Sequence, residues 1–308
     1  MTDPNVSVLT SSTLPPKLTA PEIAAPSGGR VLKRRLRILH LSDTHLSGNG
    51  SLHHGIVDTM AALERTLNYA VDIPDIDVFV LSGDLSDDGT EESYRRLRQK
   101  VEPWAAARSI EVIYAMGNHD LPDVFASVLG KGERAVDLAG YRIITLDSSV
   151  AGHDHGSLSV EQLEQLVHLL AEPAVHGTII VLHHPPTAAV TPLLRLIGLE
   201  NPNALSDALH GTDVRLVLSG HYHHALSTTE RGIPVVVAPG VANTSDVTAP
   251  RDVERPRAGS GFALIDLPSV GAPRVSFVAV PGPLDGKIVI ELDSDALRAI
   301  AHRLEASS

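Results

Sequence analysis

The sequence predicts an α/β fold, and three observations carry the prediction. Of 308 residues, 43% are apolar but only 3% aromatic. The core must therefore be built from Val, Leu, Ile and Ala, the composition of buried strands covered by helices. Short apolar runs alternate with stretches of helical periodicity. Five of those runs end directly in a polar cluster, where α/β sheets gather ligands. The length allows one large domain or two small ones, and composition does not choose between them.

Residues 1–34 are rich in Pro, Ser, Thr and Ala without periodicity and read as a flexible arm. They lack the basic start and apolar run of a signal peptide, and no stretch has the apolar length of a membrane span. The expectation is a cytoplasmic protein. Leu36–Leu41 reads as a first strand, followed by a helical face of Met60, Leu63, Leu67 and Val71. Val78–Leu81 is a second strand, and Glu92–Arg108 a second helix. Ile110–Ala115 and Ile143–Leu146 follow as strands. Ser159 is placed to cap a helix to Leu170, with Gln162 three residues on. Thr178–Leu182 and Val214–Leu218 are further strands. Shorter ones are expected at Ile233–Ala238, Phe262–Leu267, Val275–Val280 and Ile288–Leu292, with a polar loop over 242–260 and a helix over Ser294–Leu304. Residues 187–210 read as a helix packed on the sheet, with a lid or subunit contact as alternatives.

The formal net charge is −12, which argues against a nucleic-acid polymer as partner, since phosphate backbones need clustered Lys and Arg. The run Lys33, Arg34, Arg35, Arg37 leads straight into an apolar strand and reads as a solvated edge. There is no Cys, so disulfides, thiolate ligands and cysteine nucleophiles are excluded.

The polar clusters are Asp43-x-His45, Gly83-Asp84-x-x-Asp87, Gly117-Asn118-His119-Asp120, His183-His184-Pro185-Pro186 and Gly220-His221-x-His223. They offer carboxylate, imidazole and amide donors without sulfur, which suits Mn, Fe, Zn or Co better than an all-oxygen Mg or Ca cage. Two residues apart on a loop, Asp43 and His45 can converge on one ion, and so can His221 and His223. Glycines before Asp84, Asn118 and His221 permit tight turns and close backbone approach. Taken singly, no cluster is decisive. Five at strand ends in one chain make a metal site the reading.

In this order the clusters resemble the calcineurin-like metallophosphoesterases, over residues 36–240. The stretches "LHLSDTHL", "VLSGDLSDDG", "MGNHD", "LDSSVAGHDHG", "TIIVLHHPP" and "GTDVRLVLSGHYHH" are most similar to the bacterial class III cyclic nucleotide phosphodiesterases. The resemblance implies a four-layer α/β/β/α sandwich with two mixed sheets and a dimetal site at strand C-terminal ends. It divides the chain into an arm (1–34), a catalytic domain (35–293) and a C-terminal helix and tail (294–308), with the later short strands completing the second sheet. It assigns Asp43, His45 and His223 to one ion, Asn118, His183 and His221 to the other, and Asp84 to both. The cofactors implied are two metal ions per chain, iron with manganese, or Mg, Zn or Co.

The activity implied is hydrolysis of 3′,5′-cyclic nucleotides, cyclic AMP to 5′-AMP, by in-line attack of a metal-bridging hydroxide. His119 would contact the phosphate beside Asn118 and protonate the leaving oxygen, with Asp87 orienting it. Asp120 is divided between that machinery and a structural turn. His155 either touches phosphate or sugar, or is a surface-loop histidine. His184 reads as a supporting residue, His153 and His224 as solvent or pocket-rim residues, and Asn243 and Thr244 as pocket lining. The partners expected are a small cyclic nucleotide and a second copy of the chain, with no membrane. Asp88 stands where protein phosphatases of this superfamily carry Arg, and residues 83–88 lack the Tyr ligand of purple acid phosphatases. The alternative activity is a broader phosphodiesterase, acting on glycerophosphodiesters or 2′,3′-cyclic nucleotides.

Overall fold

A computed structural model describes residues 35–307; the expected arm, residues 1–34, lies outside them. The first half of the chain forms β1 (Arg35–Leu41), α1 (Thr59–Tyr69), β2 (Val78–Ser82), α2 (Glu91–Ala106), β3 (Glu111–Ala115), α3 (Pro122–Leu129), β4 (Arg134–Leu138), β5 (Tyr141–Thr145), β6 (Ser149–Val150) and β7 (His153–Gly156). The second half forms α4 (Val160–Leu170), β8 (Thr178–Val181), α5 (Pro192–Leu196), α6 (Pro202–Leu209), β9 (Val214–Ser219), β10 (Leu226–Glu230), β11 (Ile233–Val237), β12 (Thr244–Ser245), β13 (Pro256–Arg257), β14 (Ser260–Pro268), β15 (Arg274–Val280) and α7 (Ser294–Ser307). No helix among the described residues is long and apolar enough to cross a membrane.

Two mixed sheets result. One runs β15-β14-β1-β2-β3, with β1, β2 and β3 parallel and β14 antiparallel to both of its neighbours. The other runs β10-β11-β9-β8-β5-β4, its four inner strands parallel and both edge strands antiparallel. The period-2 geometry of a strand then sorts the apolar residues into layers. Ile38, Val78 and Val80 face Ile143, Ile179, Val181 and Leu216 between the sheets. Their neighbours Leu39, Leu41, Phe79 and Leu81 turn outward onto Ala62, Leu63 and Leu67 of α1 and Leu97 and Val101 of α2. Ile180 and Leu182 do the same against Leu166 and Leu170 of α4 and Leu205 and Leu209 of α6. Each such side chain contributes roughly 1.5–3 kcal/mol through burial, and the sum is the four-layer α/β/β/α sandwich.

Helix ends follow local chemistry. Asp58 accepts from Ala61 N at the start of α1, and Thr90 from Ser93 N at the start of α2. Val71, expected on the first helical face, lies beyond the end of α1 and is exposed. Ser159 caps α4 as expected, accepting from Gln162 N at 3.1 Å. The Gln162 side chain turns to Glu133 instead of back to the cap, so the box is one-sided.

Three expectations are corrected. β14 and β15 extend the first sheet, because β14 pairs with β1 from Arg35↔Pro268 to His40↔Ala263. In that register Arg37 sits opposite Asp266 and grips it through Nε (2.8 Å) and Nη2 (3.0 Å), with Arg35 adding a third bond, so the basic run is partly paired rather than only solvated. Ile288–Leu292 is not a strand; it meets the 254–257 segment through isolated bridges at Ile288 and Leu292. The edge strand β4 was not expected from its alternating, partly charged sequence, and the polar loop 242–260 contains the short β12–β13 pair.

Candidate metal centre

The expected ligand residues stand on loops leaving the parallel strands. Asp43 and His45 follow β1, Asp84 follows β2, Asn118 follows β3, His183 follows β8, and His221 and His223 follow β9. Five of these seven adopt left-handed backbone: Asp43 (φ 55°), His45 (43°), Asp84 (49°), His221 (67°) and His223 (52°). Non-glycine residues there carry strain that the surroundings must hold. The surroundings do hold it. Asp43 N donates to Gly83 O and His45 N to Asp84 O, both at 3.0 Å. The buried Asp120 carboxylate accepts from Gly117 N (2.9 Å), Ser86 N (3.1 Å) and Leu85 N (3.2 Å), fastening the β2 loop to the β3 loop. That is its structural role. Gly117 is required by close approach, since a Cβ there would lie 2.3 Å from Asp84 Oδ1 and 2.4 Å from Asp84 N.

Three groups of donor atoms result. Asp43, His45, Asp84 and His223 form one, His183, His184 and His221 a second, and His45, His53 and Asp87 a third that shares His45 with the first. His45 Nε2 and His223 Nε2 face each other at 3.2 Å, and His223 Nε2 is 3.4 Å from Asp43 Oδ1. Asp84 joins the first two groups through one oxygen. Its Oδ1 accepts from His119 N at 2.9 Å, while Oδ2 lies 3.6 Å from His45 Nε2 and 3.2 Å from His183 Nε2. His221 and His223, near enough in sequence to share an ion, go to different groups.

This arrangement fits a pair of cations. Asp43 Oδ2, Asn118 Oδ1 and His183 Nε2 are buried without a hydrogen-bond partner, a cost that ligation would remove. His183 Nδ1 faces Ser82 O at 2.8 Å, which fixes the ring and turns Nε2 inward. Burial holds His45 down to about 4 and His223 down to about 3, and it holds His221 well below the usual imidazole range, so these rings are neutral donors. Burial also disfavours the charge on His183, but Asp84 and Asp43 raise it to about 9. Burial lifts Asp43 to about 6 against the pull of His183. The clusters thus form a two-metal site in which bound metal would displace a proton from His183.

A cavity of about 390 Å³ opens onto these groups, lined also by Asn118, His119, His53, Asn243 and the apolar wall Leu193, Leu194 and Ile197. Burial opposes charging of His119, but Asp84 and Asp87 outweigh it and raise the ring's pKa. Asp87 reaches His119 through its carbonyl oxygen, 3.5 Å from Nδ1. Its carboxylate is engaged elsewhere, by His45 Nδ1 and His53 Nδ1 at 3.1 Å each. Asp87 thus meets His119 through its backbone carbonyl and through its charge, which favours the protonated ring.

His155 pairs with Glu200 at 3.4 Å and lines a separate cavity with Arg195 and Leu304. Its neighbour Asp154 lines the metal cavity instead. His184 spends both ring nitrogens on Ser148 Oγ (2.8 Å) and Asp154 O (3.1 Å), a supporting role. His224 is buried against Tyr222 O at 2.7 Å rather than at a rim, and His153 packs its ring on His155. Asn243 lines the cavity beside Ser245, while Thr244 faces another cavity. His53 was missed by sequence reasoning; the only signal was the His53-His54 doublet.

Comparison with known proteins gives the same answer. Residues 36–225 match the model of the calcineurin-like phosphoesterase family. The chain is 42% identical over 232 residues to a "Probable cyclic nucleotide phosphodiesterase" of Rhodococcus erythropolis, covering 72% of this chain and 76% of that one. It is 41% identical over 234 residues to a "cAMP/cGMP dual specificity phosphodiesterase" of Mycobacterium tuberculosis, covering 72% and 73%. Among solved structures, a purple acid phosphatase from yellow lupin shares the fold with a TM-score of 0.58 at 14% identity, over 86% of this chain and 55% of that one. A dimetal phosphatase from Danio rerio does so with 0.51 at 15%, over 80% and 99%. The family match spans well over half of the chain and every ligand-bearing loop found in the structure, and the protein belongs to the calcineurin-like phosphoesterases.

Proposed function

We propose that the chain hydrolyses 3′,5′-cyclic nucleotides, cyclic AMP foremost, to nucleoside 5′-monophosphates. The observation that carries this reading is the single cavity in which the donor groups, His119 and the apolar wall of Leu193, Leu194 and Ile197 meet. Such a cavity offers a place for phosphate beside a place for a nucleoside. The activities in the names of the Rhodococcus and Mycobacterium relatives support the choice of ester.

Asp43, His45 and His223 would hold one ion, Asn118, His183 and His221 the other, and Asp84, whose Oδ2 lies between His45 and His183, both. Bound there, two ions supply Lewis acidity toward the phosphate and an activated water. The mixed nitrogen–oxygen donors suit iron with manganese, or zinc or cobalt. His119 stands at the cavity with its ring disposed to carry a proton. As a water oxygen bonds to phosphorus and the bond to the ribose 3′-oxygen breaks, His119 donates its proton to that oxygen. Its own backbone N–H on Asp84 Oδ1 ties the acid to the shared carboxylate. The base would rest on Leu193 and Ile197, through apolar contact that leaves base preference loose.

The test is steady-state hydrolysis by metal-reconstituted protein of 3′,5′-cyclic AMP, 2′,3′-cyclic AMP and glycerophosphocholine. The expected kcat/KM for the first exceeds the others by at least about tenfold, roughly 1.4 kcal/mol of transition-state preference. Equal or better turnover of the others would replace this reading with a broader phosphodiesterase.

A further inference from the structure

His53 lies on the loop between β1 and α1, 6% exposed. Its backbone is pinned by two bonds with Val57, His53 N to Val57 O at 2.9 Å and Val57 N to His53 O at 3.1 Å. Both ring nitrogens are used. Nε2 is 3.1 Å from Asn243 Nδ2, and Nδ1 is 3.1 Å from Asp87 Oδ1. With the Asn243 amide donating to Nε2, the ring proton sits on Nδ1 and goes to Asp87. The same Asp87 oxygen is 3.1 Å from His45 Nδ1, and the two rings lie 4.7 Å apart. One carboxylate oxygen therefore collects an N–H from each imidazole.

We propose that His53 is a positioning residue for the metal ligand His45, acting through Asp87. Clamped by Asn243 and the Val57 pairing, His53 holds the Asp87 carboxylate against His45 Nδ1–H. That fixes the His45 tautomer whose Nε2 lone pair faces Asp43, Asp84 and His223. It also occupies the Asp87 carboxylate, so His119 hydrogen-bonds Asp87 only through the carbonyl oxygen. A third ion among His45, His53 and Asp87 is the competing account of the same cluster. It would require His45 to give up both ring protons, since Nε2 already belongs to the neighbouring group.

The test is calorimetric titration of the metal-free, full-length protein with Mn²⁺, comparing wild type, His53→Leu and His53→Asn. Removal of a supporting partner of this kind typically weakens a metal site about 10- to 100-fold. His53→Leu should weaken one of two binding steps by that factor and leave the other in place. His53→Asn, whose amide nitrogen can replace Nδ1–H, should recover most of the loss at a melting temperature matching the Leu variant. In an Asp87→Ala background, His53→Leu should add nothing. Unchanged titration of His53→Leu, equal loss in the Asn variant, or losses that add in the Asp87→Ala background would each overturn the proposal. So would a third bound Mn²⁺ that disappears with His53.

Discussion

Five of the seven candidate ligand residues hold a backbone conformation they would not choose, and neighbouring loops pay for it in space as well as bonds. Gly117→Ala should therefore be costly far beyond its size. Its Cβ would fall 2.3 Å from Asp84 Oδ1 and 2.4 Å from Asp84 N, and a backbone atom cannot step aside as a side-chain tip can. Overpacking of this kind costs about 1–3 kcal/mol; a urea melt should show that loss, together with weakened Mn²⁺ binding. A Gly117→Ala protein with wild-type stability and metal affinity would contradict the packing argument. The five clusters were legible because they stand at strand ends, and the resemblance chose Asp43, His45, Asp84, Asn118, His183, His221 and His223 from them as candidate ligands. Side-chain direction was not. In β7 the period of two puts His153 and His155 together on one side and sends Asp154 toward the metal cavity. The resemblance had offered His155 as a phosphate or sugar contact, with a surface-loop histidine as the alternative. His53 was illegible because its partners Asp87 and Asn243 are 34 and 190 positions away.

At the scale of elements, strands announced by unbroken apolar runs were read within a few residues of their ends, and those needing a partner were not. β4 alternates half-buried with exposed residues at a sheet edge, a weak pattern beside the fully buried β2. Ile288–Leu292 is apolar enough for a strand but finds only the 254–257 segment to bridge. The side of the sandwich that β14 joins depends on pairing with β1, and no local signal carries that choice. One buried bond ties the two sheets directly: Tyr141 Oη on β5 donates to Leu267 O on β14 at 2.8 Å. Tyr141→Phe keeps the ring and removes that donor. It should lower unfolding free energy by about 1–3 kcal/mol in a denaturant titration and leave metal affinity unchanged. No loss of stability would mean that this bond adds nothing to the apolar packing and to the other bonds between the sheets, Arg134 Nη2 to Val112 O and Arg215 Nη1 to Pro268 O.

Across the whole molecule, two sheets bring seven candidate donors from five strand ends to one place, and Asp84 Oδ2 lies between His45 and His183 of two donor groups. The family and its sandwich were legible from motif order; the sharing of a single oxygen was not, because it depends on His119 N occupying the other. In an acidic chain of net charge −12, bound cations would supply the positive charge that an anionic phosphate ester needs at this cavity. The dimetal account rests most directly on Mn²⁺ titration of wild type against Asp84→Ala, counted by calorimetry and by metal analysis. Wild type is expected to bind two ions per chain, and Asp84→Ala to weaken both steps by more than about tenfold, 1.4 kcal/mol each. One binding step left at wild-type affinity would contradict a shared carboxylate, and a wild-type stoichiometry of one would contradict the two-metal site itself.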